Sequence, residues 1–180
     1  MLRNTKNGYG WVSRALHWVM GLGIIALVAV GLWMTGLPDG DDKWQVYGIH
    51  KAIGMIMLGF IVVRLYWRWV EKNPELPRSL PNWQVHLSKL TVFLLYVLMI
   101  AMPVSGYLMS TLGGYPIEIF GWVTLAPLAK GHPMGKIAHE IHEWIGTAAG
   151  FLIGLHILGG LYHHFVRRDN VLKRMLVNVK

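Results

Sequence analysis

The chain has 180 residues, 54% of them hydrophobic and only 14% charged, with a mean hydropathy of +0.41; this balance excludes an ordinary soluble domain and, at this length, predicts a single domain over residues 1–180. Cysteine is absent, which excludes structural disulfides, thiolate-held iron–sulfur clusters and the C-x-x-C-H attachment of c-type haem, and leaves His, Met or oxygen to hold any metal or cofactor. The net charge of +8 does not point to nucleic acid, because the basic residues gather at the ends of apolar runs rather than along one polar face.

A short basic segment with Arg3, Lys6 and Arg14 leads into a first apolar run, and the hydropathy predicts a helix over about 15–37. A basic start before an apolar run is also how a signal peptide begins. This run is longer than a usual signal core and no small-residue cleavage site follows it, so a retained transmembrane helix is expected. Pro38-Asp39-Gly40-Asp41-Asp42 reads as a turn-rich acidic connection. A second span is expected over about 44–69, ending in Arg64, Arg68 and a Trp/Tyr cluster of the kind found at membrane interfaces. Pro74, Pro77 and Pro81 mark the polar loop after it. The third span, about 87–111, contains Pro103, tolerated as a kink in membrane helices. A long connection from Gly113 to Gly135 follows, with an apolar piece (Ile117 to Leu125) too short to cross a bilayer and expected to lie in the interface. The fourth span, about 139–166, precedes a basic tail. The expected fold class is therefore all-α, an integral membrane four-helix bundle.

Lys and Arg are dense in the first segment, in the second loop (Arg64, Arg68, Lys72, Arg78) and in the tail (Arg167, Arg168, Lys173, Arg174, Lys180), and sparse in the first and third loops (Lys43, Lys130, Lys136). By the positive-inside rule both termini are expected in the cytoplasm.

The fourth span is almost uncharged yet punctuated by histidines, which are costly to bury in hydrocarbon and therefore indicate a site with a partner. His142 and His156 are fourteen residues apart, close to four whole turns, so they leave one helix face roughly 21 Å apart along the axis. With alternating helices, depth pairs His50 with His142 near the outer end and His17 with His156 near the inner end. These four of the nine histidines share a further regularity, each being followed four residues later by glycine: Gly21, Gly54, Gly146 and Gly160. Residue i+4 lies on the same face one turn along, where a porphyrin held axially by the histidine would spread flat and a side chain would collide with it. Ala149, seven residues from both His142 and His156, is also small where two such rings would approach. Paired imidazoles in a helical bundle are suitable axial ligands for haem iron. A proton relay is the alternative chemistry, but it ordinarily needs acidic partners and these spans hold almost none. His139 lies about a quarter turn off the shared face. His163 shares the face of His156 and, on depth alone, rivals it as the partner of His17. Arg14, Arg64 and Arg68 suit haem propionates, or equally serve as interfacial anchors. His163 and His164, with Arg14, are candidates for a quinone site.

Arg14-Ala15-Leu16-His17-Trp18, Gly48-Ile49-His50-Lys51, Met102-Pro103-Val104-Ser105-Gly106, His142-Glu143, Gly154-Leu155-His156 and Tyr162-His163-His164-Phe165 together resemble the bacterial di-haem cytochrome b561 family over nearly the whole chain. The resemblance implies an inner-membrane, multi-pass protein with two b-type haems, with His17, His50, His142 and His156 as the iron ligands, which decides for His156 over His163. Within the family the chain is most similar to superoxide-oxidising members, which implies superoxide as donor and ubiquinone as acceptor. It departs from many members in carrying Lys89-Leu90-Thr91-Val92 where they have a histidine a turn or so into the third helix, His86 being displaced from that place. Two functions are thus expected as alternatives. One is a superoxide:ubiquinone oxidoreductase, with Lys51, Lys130, His132 and Lys136 either drawing in a small anion or standing as ordinary solvated charges. The other is a non-catalytic cytochrome subunit that links a dehydrogenase- or hydrogenase-type redox partner protein to the quinone pool.

Overall fold

The structure, a computed structural model, describes residues 1–77 and 79–177; Arg78 and Lys180, counted above among the basic residues, lie outside them. Four long helices dominate: α1 (Trp11–Met34), α2 (Asp41–Val70), α3 (Asn82–Gly113) and α4 (Pro133–Phe165). Each is long and apolar enough to cross a membrane, and their outward faces carry many exposed large apolar residues, as lipid-facing surfaces do. The fold is the expected four-helix membrane bundle.

The helices extend beyond their apolar runs, chiefly at the N-terminal end. Asp41 and Asp42, expected in a turn, form the first turn of α2, where carboxylates favour the helix dipole. His132 caps α4, its Nδ1 accepting from the Met134 N–H at 3.2 Å, and Pro133 takes the first helical position, where its missing N–H costs nothing. Pro103 sits inside α3 without ending it. The connection between α3 and α4 holds a two-stranded antiparallel hairpin, β1 (Ile117–Ile119) and β2 (Val123–Leu125), in place of a simple interfacial run. Ile117 is fully buried while Phe120 and Trp122 at the turn are exposed. Phe120 and Gly121 both take positive φ there, which permits the tight reversal. Lys51 ties the hairpin to α2, its Nζ donating to the Pro116 carbonyl at 2.9 Å and the Ser110 hydroxyl at 3.3 Å.

A short helix, α5 (Lys173–Leu176), lies in the tail. The N-terminal segment, the loop between α2 and α3, and the tail are bound together at one end of the bundle. Asn4 N–H donates to Glu71 at 3.1 Å, Arg14 to the Leu176 carbonyl at 3.1 Å, Trp18 Nε1 to the Met175 carbonyl at 2.9 Å and Arg167 to the Ser79 carbonyl at 3.1 Å. The three basic segments therefore share one end. Met20, Met57 and Ile61 form a small apolar plug between α1 and α2, backed by Ile24, Leu27, Leu65 and Met99. The backbones of α3 and α4 run close together, and those of α1 and α4 meet over a shorter stretch. His17 and His156 stand between α1 and α4, and His50 and His142 between α2 and α4.

Candidate functional site

α1 carries His17, α2 carries His50, and α4 carries both His142 and His156. The His17 and His156 rings face each other with centroids 6.1 Å apart and planes at 63°; the His50 and His142 rings do so at 6.4 Å and 89°. An imidazole nitrogen stands about 2 Å from a bound metal, and the ring centre roughly 1.2 Å behind the nitrogen, so two imidazoles sharing one ion have centroids about 6.4 Å apart. Both pairs have that separation. Among the described residues no group of three or more His, Asp or Glu side chains gathers as a metal site. Each pair thus offers two imidazoles, a donor set that a macrocycle with its own four nitrogens would complete.

The room such a flat group needs is present beside the rings. A Cβ added at Gly21 or Gly54 would meet no atom within 4 Å; at Gly146 it would meet only the Met102 methyl at 3.7 Å, and at Gly160 only a Leu172 methyl at 3.9 Å. A cleft of about 420 Å³ opens around His50 and His142, within the range of small-molecule sites. Gly31, Gly146, Tyr47 and Trp144 line it. His156 is exposed, whereas His17, His50 and His142 are half-buried. The residues present fit haem.

The sequence reading missed how the rings are held from the opposite helix. A Cβ at Gly106 would stand 3.1 Å from His142 Cε1, and one at Gly31 would stand 3.3 Å from His50 Cε1. At both positions a side chain would crowd a histidine ring, which would have to yield by a few tenths of an ångström. The Met102–Gly106 run, quoted above only for its resemblance, receives His142 on α3: His142 Nδ1 is 3.0 Å from the Met102 carbonyl and 3.0 Å from Ser105 Oγ. The signal was a hydroxyl and a glycine side by side, Ser105 and Gly106, two residues after a proline. It pointed to a site, but not to the histidine on another helix that fills it.

At the inner end Arg64 reaches His17, its Nη2 lying 3.4 Å from Nδ1, and its Nε donates to the Tyr96 hydroxyl at 3.2 Å. Arg68 lies over the Tyr96 ring at 4.7 Å. Tyr9, just before α1, has its phenol pushed up by burial, against the opposing pull of Arg68, Arg174 and Arg64, so it stays a neutral hydroxyl. Arg14 is drawn into the cap through Leu176. His163 is half-buried, and its Nδ1 pairs with Asp169 Oδ2 at 2.7 Å. His164 is exposed, edge-on to Phe165 at 4.8 Å. His139 is exposed 3.9 Å from Glu143, and His86 is exposed at the start of α3 with Nδ1 2.7 Å from the Asn82 carbonyl. Neither faces a second histidine ring at the distances found for the two pairs.

Residues 8–178 match the family model described as prokaryotic cytochrome b561. Cytochrome b561 homolog 2 of Escherichia coli K12 is 35% identical over 96% of this chain and 93% of its own length. Cytochrome b561 homolog 1 of the same organism is 24% identical over 89% and 92%. A protein named probable superoxide oxidase CybB, of Yersinia pestis, is 26% identical over 93% and 95%.

Proposed function

The chain belongs to the prokaryotic cytochrome b561 family, bacterial membrane proteins that bind haem b and transfer electrons, and from that premise we propose that it holds two b-type haems and uses them to oxidise superoxide and reduce ubiquinone. The observation that carries the two-haem reading is the pair of facing imidazoles at 6.1 Å and 6.4 Å, each with open glycine-lined space beside it. His17 and His156 would hold one group and His50 and His142 the other, with Gly21, Gly54, Gly146 and Gly160 as the flat walls. Arg64 and Arg14, with Arg68, lie at the end where propionates of the inner group would be met. The sharing of one end by all three basic segments supports an orientation with both termini in the cytoplasm of a bacterial inner membrane.

When bound, haem supplies a one-electron iron couple at each of two depths. The balance over a full cycle is two superoxide anions, one quinone and two protons giving two dioxygen molecules and one quinol. At the outer end the chain's own contribution is charge and access. Lys130 and Lys136 are exposed, and their field draws a small anion toward the cleft beside His50 and His142. Lys51, next in sequence to His50, also holds the hairpin through its ammonium. At the inner end His163, braced by Asp169, is the residue suited to meet a quinone oxygen; Arg14 and His164 flank it in the sequence reading, and His164 faces outward. Superoxide as donor is further supported by the name of the Yersinia pestis relative.

Stopped-flow mixing of the oxidised protein with superoxide should reduce the haem much faster than spontaneous dismutation removes the radical. Absence of haem reduction would defeat the enzyme reading. The rival reading, a cytochrome subunit serving a redox partner protein, is favoured by the exposed aromatic hairpin tip, where Phe120 and Trp122 stand 52% and 81% exposed. A dehydrogenase recovered in fixed proportion from mild detergent would establish it instead.

A further inference from the structure

The two histidine pairs are furnished differently. At the outer pair, His142 Nδ1 faces two acceptors. The Ser105 hydroxyl gives its proton to the Met102 carbonyl at 2.9 Å, so the lone pairs of Ser105 Oγ and of that carbonyl both remain for Nδ1, each at 3.0 Å. The proton of a neutral His142 is therefore fixed on Nδ1, which leaves Nε2 free to bind a metal. Gly106 leaves the ring room, because a Cβ there would press on it at 3.1 Å. At the inner pair, His17 Nδ1 instead faces the Arg64 guanidinium at 3.4 Å, a group with five donors, no acceptor and a permanent charge. Tyr96 holds that charge in place from the other side. With the proton of His17 also on Nδ1, as Nε2 ligation requires, Arg64 stands beside the ring as a charge rather than as a donor to it. No group plays the opposite part: among the described residues no acidic side chain pairs with Arg64.

We propose that this asymmetry grades the two sites, Ser105 and the Met102 carbonyl lowering the midpoint potential of the outer haem through His142 and Arg64 raising that of the inner haem through His17. The inference rests on the two-haem reading. An acceptor on Nδ1–H makes the imidazole a more electron-rich ligand, which favours ferric iron. A fixed cation nearby opposes the extra positive charge of the ferric state and favours ferrous iron. An electron given by superoxide at the outer site, which releases dioxygen, thus moves inward to the inner site with the gradient and on to quinone. Ser105 acts as a positioning residue; it touches the ligand and not the reacting atoms.

The test is a spectroscopic redox titration of the purified haem-loaded protein with five variants. Wild type is expected to titrate in two separated steps. Ser105→Ala should raise the lower step and leave the upper one in place, and Ser105→Thr should restore it. Arg64→Gln should lower the upper step and leave the lower one, with Arg64→Lys returning most of the shift. Tyr96→Phe, which frees Arg64 without removing its charge, gives a smaller fall in the same step and serves if Arg64→Gln is not recovered. Midpoints that stay put, move together or move with the opposite sign overturn the gradient. A wild-type protein with fewer than two haems overturns the two-haem reading and this inference with it, whereas two haems with unresponsive midpoints overturn this inference alone.

Discussion

His142→Ala should purify with about one haem per chain, and His17→Ala should show the same count with the opposite haem missing. α4 supplies one imidazole to each pair, so removing His142 strands His50 while the pair 6.1 Å apart at the other end is untouched. No rescue is at hand. His139 lines the same cleft but is exposed and turned toward Glu143, and His139→Ala should keep both haems. Loss of a tightly bound group also lowers stability by mass action, by about 4 kcal/mol for a ligand present at a thousand times its dissociation constant. Both single variants should therefore melt earlier in detergent. Haem retained in full by His142→Ala would remove His142 from the ligand set.

A second large effect is expected from adding side chains rather than removing them. Gly54→Leu and Gly21→Leu should each lose one haem although every histidine remains. A Cβ at these positions meets no protein atom within 4 Å, so packing alone has no objection to it. Replacing glycine inside a helix even relieves a backbone entropy cost of roughly 0.5–1 kcal/mol. If these glycines served helix packing, the leucine variants would fold poorly; if they face the flat side of a porphyrin, the variants fold and bind about half the haem. Haem counts and melting temperatures on the same preparations separate the two. Full haem content in both leucine variants would show that the open space belongs to lipid rather than to a cofactor.

Much of the architecture was legible because hydrocarbon imposes a simple rule. Any crossing segment needs a long apolar run, and four such runs are present. What hydropathy could not show was where each helix starts, since polar first turns such as Asp41-Asp42 and the His132–Pro133 cap are favoured by end effects that carry no apolar signal. The hairpin was hidden for a similar reason: three-residue strands around Phe120-Gly121 are too short for a period to register. The family match was legible from the motifs. Within the candidate site, a histidine and its own glycine share a helix and so share a spacing. Gly31, Gly106 and Ser105 act on histidines of other helices, and no spacing within one segment encodes a contact across two. The contact of Lys51 with the hairpin was hidden because its partners, Ser110 and Pro116, lie about sixty residues further along the chain.

The most direct test of the central claim is the haem count of the wild-type protein, measured against protein concentration together with its reduced-minus-oxidised and low-spin resonance spectra. Two low-spin b-type haems per chain are expected, one for each facing pair of histidines. One haem would mean that one of the pairs at 6.1 Å and 6.4 Å does not bind iron, and none, in protein made with haem in supply, would contradict the assignment of all four histidines.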